Sequence, residues 1–266
     1  MEALQSIQLQ LSFSLILSSQ YSAAFDLKNA FLIYTFDEGS GDIVTDRSEN
    51  GNDGVIGGGA KWAAGKNGKG LEMNGTSSKI VSATANGVDK VAFTECLWVT
   101  FTNLAPENQF GYISCTETAN ARYFYFSSWS SAGAPNDCIH AGTLDGGGNW
   151  GRGISTVRIF KTKQWYFVAA VIDTKNGFIK IYVDGDMFQE QAIATGDTPG
   201  VPKEIWVGAS PENYQWIGGT IDDVAFFNVA LSENDLKSIM DEGVMESFAV
   251  DKTGKLSTKW GTIKSE

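Results

Sequence analysis

The stretch WYFVAAVIDTKNGFIKIYVDG, residues 165–185, decides the fold. Two apolar runs, WYFVAAVID and FIKIYV, flank Thr174-Lys175-Asn176-Gly177, and Asn-Gly favours the positive φ angles of a tight hairpin turn. Asp184-Gly185 offers a second such turn directly after it. Working outward, residues 31–227 carry mainly short runs broken by Gly, Asn and Asp, and helical periodicity is nearly missing. The further strand candidates are 31–36, 79–82, 91–101, 110–115, 122–127, 155–160, 204–208 and 220–227. Together with the hairpin they make about ten strands, enough for an all-β sandwich of two stacked antiparallel sheets. One short helix follows Leu231. Ser232 caps it, Asp235 completes a capping-box pattern, Leu236, Ile239 and Met240 share a face, and Gly243 ends it. Its expected place is an edge of the sandwich.

Composition narrows the chemistry. The 266 residues hold 31 acids against 20 bases, a net charge of −11, and a basic surface for nucleic acid or anionic lipid does not fit that balance. His140 is the single histidine, which excludes a His-rich metal site and leaves histidine catalysis one residue to rest on. Cys96, Cys115 and Cys138 contain no C-x-x-C pair, so zinc-ribbon and thioredoxin-type motifs are absent, and spacing leaves their pairing open.

The chain divides into residues 1–24, a main domain over 25–247, and a Lys-bearing tail at 248–266. Two readings of the first segment stand. LQLSFSLIL at 9–17 followed by Ser22, Ala23 and Ala24 has the outline of an export signal. Ile7, Leu9, Leu11, Phe13, Leu15 and Leu17 also alternate with polar residues, the period of a half-buried strand that could add to a neighbouring subunit's sheet. No stretch approaches the ~18 unbroken apolar residues of a membrane span.

Three blocks carry a resemblance. FDEGSGDIVTDRSENGNDGVIGGGAKWAAGKNGKGLEMNG (Phe36–Gly75) resembles the opening of the laminin-G-like, concanavalin A-like jelly-roll domains common in bacterial surface proteins. QWYFVAAVIDTKNGFIKIYVDG is similar to their central hairpin, and IGGTIDDVAFFNVALSENDLKSI (Ile217–Ile239) to their closing strand and helix. The resemblance implies a jelly-roll sandwich on a secreted or cell-surface protein, and it implies no single ligand.

It also implies a structural calcium held between the loop after the first strand and the last strand. On that basis Asp46 and Asp222 are side-chain ligands, with Asn52 and carbonyls near Ser48 and Asn50 completing the shell. Asp222 and Asp223 should point to opposite faces of a strand, so only Asp222 faces the metal. Read without the resemblance, the same residues are turn formers and solvated acids.

The candidate ligand surface is the polar, Gly-rich stretch 127–153, too long for a simple connection. Trp129, Asn136, Asp137, His140, Asp145, Asn149, Trp150 and Arg152 combine aromatic faces with hydroxyl-binding groups, as a glycan site requires, and Tyr214 and Trp216 add a rim. Trp62, Trp98, Trp165 and Trp206 read as packing residues; Tyr123 and Tyr125 share one side of a strand that could line a concave face. There is no run of alternating acids of the glycosidase kind and no nucleophile elbow. The expectation is therefore a non-catalytic, lectin-like module that binds a glycan or an extracellular protein. The alternatives are a structural adhesion or assembly domain using residues 7–17, and a polysaccharide-active enzyme; whether the chain self-assembles stays open.

Overall fold

The computed structural model describes residues 26–82, 84–104, 111–118, 121–127, 138–145, 147–149, 151–156, 159–210 and 215–249. Two antiparallel sheets of eight strands each face one another. The first sheet holds β1 (Ala30–Tyr34), β4 (Lys61–Ala64), β5 (Lys69–Asn74), β7 (Ala92–Phe101), β12 (Trp165–Asp173), β13 (Phe178–Val183), β14 (Asp186–Ala192) and β18 (Gly218–Phe227). Its order is β14-β13-β12-β7-β18-β5-β4, with β1 also paired to β18. The second sheet holds β2 (Ile43–Val44), β3 (Gly54–Gly57), β6 (Lys79–Ser82), β8 (Gly111–Thr118), β9 (Ala121–Ser127), β10 (His140–Thr143), β11 (Arg152–Ser155) and β15 (Glu204–Val207). Its order is β11-β10-β9-β8-β15-β6-β3-β2. A small ribbon, β16 (Ala209–Ser210) with β17 (Gln215–Trp216), joins β15 to β18.

The uninterrupted apolar run of β12 has a structural reason. Tyr166, Val168, Ala170 and Ile172 join the core between the sheets, while Phe167, Ala169 and Val171 join a second apolar layer outside the first sheet. Helix α1 (Glu233–Glu242) supplies Leu236 and Ile239 to that outer layer, beside Ile33, Tyr182, Ala225 and Phe227. It thus covers a face, not the edge expected from sequence. A strand buried on both faces loses its alternation. The helix starts as expected: Ser232 accepts from the Asp235 amide, the Asp235 carboxylate accepts from the Ser232 amide, and Gly243 closes it at φ 94°. A one-turn helix, α2 (Glu246–Ala249), follows.

The hairpin is confirmed with one change. Its first loop spans four residues, since Asp173 pairs with Phe178, and only Gly177 takes a positive φ. The Asp173 carboxylate organises that loop by accepting from the Lys175 and Asn176 amides. Asp184 and Gly185, at φ 51° and 83°, form the two-residue turn that the sequence suggests. Cys96, Cys115 and Cys138 are buried thiols outside any disulfide. Residues 7–17 and the 250–266 portion of the tail lie outside the described residues.

Candidate functional surface

In the second sheet Val44, Ile80, Ile113, Cys115, Phe124, Phe126, Ala141, Ile154, Ile205 and Val207 enter the core. Their neighbours along each strand therefore face outward. The strand registers align these outward residues in one line across all eight strands: Ile43, Val55, Val81, Trp206, Ser114, Tyr125, Gly142 and Gly153. At about 5 Å per strand, the open end from β2 to β15 spans about 15 Å.

That open end is apolar and accessible. Ile43 is 46% and Val55 54% exposed, and Val81 and Trp206 are half-buried. The indole of Trp206 is held by one residue of its own strand and one of the neighbouring β6. Its Nε1 donates to the Glu204 carboxylate at 3.0 Å, and the Lys79 ammonium sits over the ring at 3.6 Å from the centroid. That cation covers one face of the half-buried ring. Next in line, the Ser114 hydroxyl is fully buried and has no hydrogen-bond partner.

The other end of the line is closed. Tyr125 stacks on His140 with ring centroids 4.5 Å apart, and His140 Nδ1 meets Ser155 Oγ at 2.7 Å. Both rings are buried. Gly142 and Gly153 lie under the Tyr125 hydroxyl so closely that a side chain at either would collide with it.

Of the residues expected to bind a ligand, Trp129, Asn136, Asp137, Trp150 and Tyr214 lie outside the described residues. Of the other five, His140 and Arg152 are buried, and Asp145, Asn149 and Trp216 keep some exposure. Asp145 closes its own turn by accepting from the Gly147 and Asn149 amides and from Asn149 Nδ2. Arg152, far from presenting itself to a ligand, is fully buried and braces two loops by donating to the carbonyls of Leu144 and Thr195. Trp216 is half-buried in the β16–β17 ribbon. The reading of Trp62 as a packing residue holds, for it leans on the core and donates to the Gly41 carbonyl. Trp98 and Trp165 pack in the outer layer of the first sheet. Trp206 is the exception: it lies on the open face. Its position between Ile205 and Val207, both core residues, was the available signal.

The loop after β1 draws Asp46, Ser48, Asn50 and Asn52 together. Asp46 Oδ1 accepts from the amides of Ile33 and Ser48, both at 2.9 Å; Oδ2 accepts from Ser48 Oγ at 2.7 Å and the Asn52 amide at 2.9 Å. The Phe31 carbonyl in turn accepts from Ser48 Oγ, Asn50 Nδ2 and Asn52 Nδ2. Asp222 and Asp223 do not alternate. A bulge lies between Asp222 and Ala225, Asp223 takes φ 45°, and both carboxylates bond one residue, Asn67, through its amide and its side chain respectively. Ile221 and Val224 enter the core on either side, so both acids face outward. Burial is the main cause that pushes Asp222 up to about 7 and Asp223 up to about 6.

With this geometry in view, comparison with known families gives a match over residues 74–237 to the model of the concanavalin A-like lectin/glucanases superfamily. The chain belongs to that superfamily. No curated protein matches the sequence. Among solved structures, domain 4 of the extracellular arabinanase AbnA from Geobacillus stearothermophilus, in complex with arabinotriose, is similar at TM-score 0.59 and 21% identity, over 80% of this chain and 98% of that one. The binding domain of botulinum neurotoxin serotype G is similar at TM-score 0.63 and 17% identity, over 80% of this chain and 50% of that one. The receptor-binding domain of botulinum neurotoxin D gives 0.61 and 17%, over 81% and 53%. The chain thus spans about half the length of these neurotoxin domains. At such identities the likeness is one of fold.

Superfamily membership makes a calcium worth testing against the residues. Asp46 has its four acceptor positions taken by protein donors, and Asp222 bonds Asn67 and the Asp223 amide, neither of which bonds Asp46. As arranged, Asp46, Ser48, Asn50, Asn52 and Asp222 do not form one calcium shell. Among the described residues no three His, Cys, Asp or Glu side chains converge as a metal site would require. A cavity of about 500 Å³ lies beside the bulge and is lined by Asp37, Arg47, Asn67, Asp223, Glu242 and Glu246 among others.

Proposed function

We propose that this chain is a non-catalytic, extracellular glycan-binding module whose binding surface is the outward face of the second sheet, centred on Trp206. The observation that carries the reading is the fixed indole, set by Glu204 and Lys79 at the end of an exposed apolar line. Sugar rings stack their C–H faces on such a surface once the flexible Lys79 side chain swings off the indole, and an aromatic whose Nε1 is held by Glu204 before binding loses little entropy on binding. Lys79 and Glu204 then offer a donor and an acceptor to the ring hydroxyls. The arabinotriose bound to the arabinanase domain supports a saccharide as first probe.

A catalytic role has less to draw on. His140 is stacked under Tyr125 and bonded to Ser155, and Asp222 and Asp223 share Asn67 and do not face each other across a groove. The test is a glycan array seeded with arabinan oligosaccharides, comparing the wild type with Trp206→Ala. The expected result is binding by the wild type and a loss of at least about tenfold in the variant. Equal binding by both proteins moves the site elsewhere, and no binding by the wild type to any glycan overturns the reading.

A further inference from the structure

A second, smaller cavity of about 300 Å³ opens where the start of β1, the loop at 46–53, the turn at 84–87 and Asn228 meet. Its wall holds four asparagines, Asn50, Asn52, Asn86 and Asn228, with Thr84 and Lys28, and among the described residues no carboxylate. Hydrogen bonds of Asn50, Asn52 and Asn228 show which ends of those amides are already engaged. Asn50 Nδ2 donates to the carbonyls of Ala30 and Phe31 at 2.8 and 3.2 Å, and Asn52 Nδ2 donates to Phe31 at 2.8 Å. Turning either amide round would set oxygen against carbonyl oxygen, so the nitrogens belong to the backbone and the oxygens of these two lining residues are the ends a ligand can engage. Asn228 is spent at both ends, accepting from the Asp89 amide and donating to the Gly87 carbonyl, and so holds the wall in place.

The cavity therefore offers acceptors from Asn50 and Asn52, the amide of Asn86 and the ammonium of Lys28, whose charge is shared with Asp26 at 2.7 Å. Among the described lining residues a bare cation meets no carboxylate, and the Lys28 ammonium at the rim is paired with Asp26, while an anion meets two amide oxygens. A hydroxyl both donates and accepts, and satisfies each of these groups. The geometry points to a binding site for a small neutral polyhydroxyl ligand of monosaccharide size, separate from the Trp206 face and independent of its function. The volume stands at the lower end of ligand pockets and the lining is polar, so the affinity expected is weak, on the order of millimolar.

The experiment is a ¹⁵N-HSQC titration of the full chain with L-arabinose, D-galactose, D-glucose and glycerol, up to about 100 mM, and in parallel with calcium chloride. Saturable shifts of the amides at Asn50, Asn52 and Gly87 with at least one sugar are expected. Asn86→Ala combined with Lys28→Met, two exposed positions whose side chains hold no core contact, should weaken the binding about tenfold, and Trp206→Ala should leave it unchanged. The proposal falls if no sugar shifts these amides, if the double variant binds as the wild type does, or if calcium alone shifts them. Loss of the response in Trp206→Ala would also overturn it, by making the two sites one.

Discussion

At the residue scale, two buried acids are handled in opposite ways. Asp46 has every acceptor position filled, so truncation leaves the amides of Ile33, Ser48 and Asn52 without a partner, while the Ser48 hydroxyl keeps the Phe31 carbonyl. Asp46→Ala should destabilise the protein by about 3 kcal/mol, and by the same amount with chelator as with calcium, read from urea unfolding. A destabilisation that vanishes in chelator would instead indicate a metal at Asp46. Glu95 is the converse case. It is fully buried between the sheets, neither oxygen has a partner, and burial holds its carboxyl well above the usual range. Its register neighbours are Ala170 and Phe226. An apolar side chain avoids the unpaired polar group, so Glu95→Leu should stabilise by about 2 kcal/mol near neutral pH. The gain should widen from pH 5 to pH 8, because the unfolded chain releases the Glu95 proton earlier than the folded one. A variant less stable at both pH values would refute this.

At the element scale, the helix α1 exists to cover the outer face of the first sheet, and its start depends on a few polar bonds. Ser232 and Asp235 cap each other, and Thr94 of β7 ties the approach by accepting from the Leu231 amide and donating to the Val229 carbonyl. Ser232→Ala should cost about 1 kcal/mol, seen as a lower Tm, and Ser232→Asp should recover most of it. Failure of the Asp variant to recover stability would assign the loss to something other than capping. These elements also show how far sequence could be read. The helix with both its ends, the turn at Asp184-Gly185 and most strands were legible, because caps, Gly positions and strand runs are local signals. The bulge at Asp222–Asp223 was not, because a strand pattern carries no mark of where its partner skips a residue. The outward position of Trp206 could be inferred from Ile205 and Val207 only once their face is known to be the core. The scaffold role of Arg152 depends on carbonyls of residues 144 and 195, which sequence does not bring together.

At the scale of the whole molecule, the acids of β18 set a pH dependence. Asp222 and Asp223 have folded values of about 7 and about 6, above the ordinary carboxylate value, so between about pH 4 and pH 7 the folded state holds protons that the unfolded state has released. Stability should therefore decline as pH rises through that window. Asp223→Asn keeps an acceptor for Asn67 and removes one of the two charges, so its Tm should fall less than that of the wild type between pH 4.5 and pH 7.5. Parallel Tm curves for the two proteins would remove Asp223 from the cause. The net charge of −11 works in the same direction, through repulsion that grows as acids ionise.

The sequence by itself determined the sandwich, because alternation, turn residues and capping act over a few neighbouring positions and do not depend on the rest of the chain. The tertiary structure alone decided which side chains meet on the open face and which are spent on the scaffold. Trp206, Val81 and Val55 come from distant parts of the chain, and only strand register sets them in one line. Asp46, Arg152 and His140, the residue types most suggestive of chemistry, are instead absorbed by backbone groups and rings that folding leaves in need of partners.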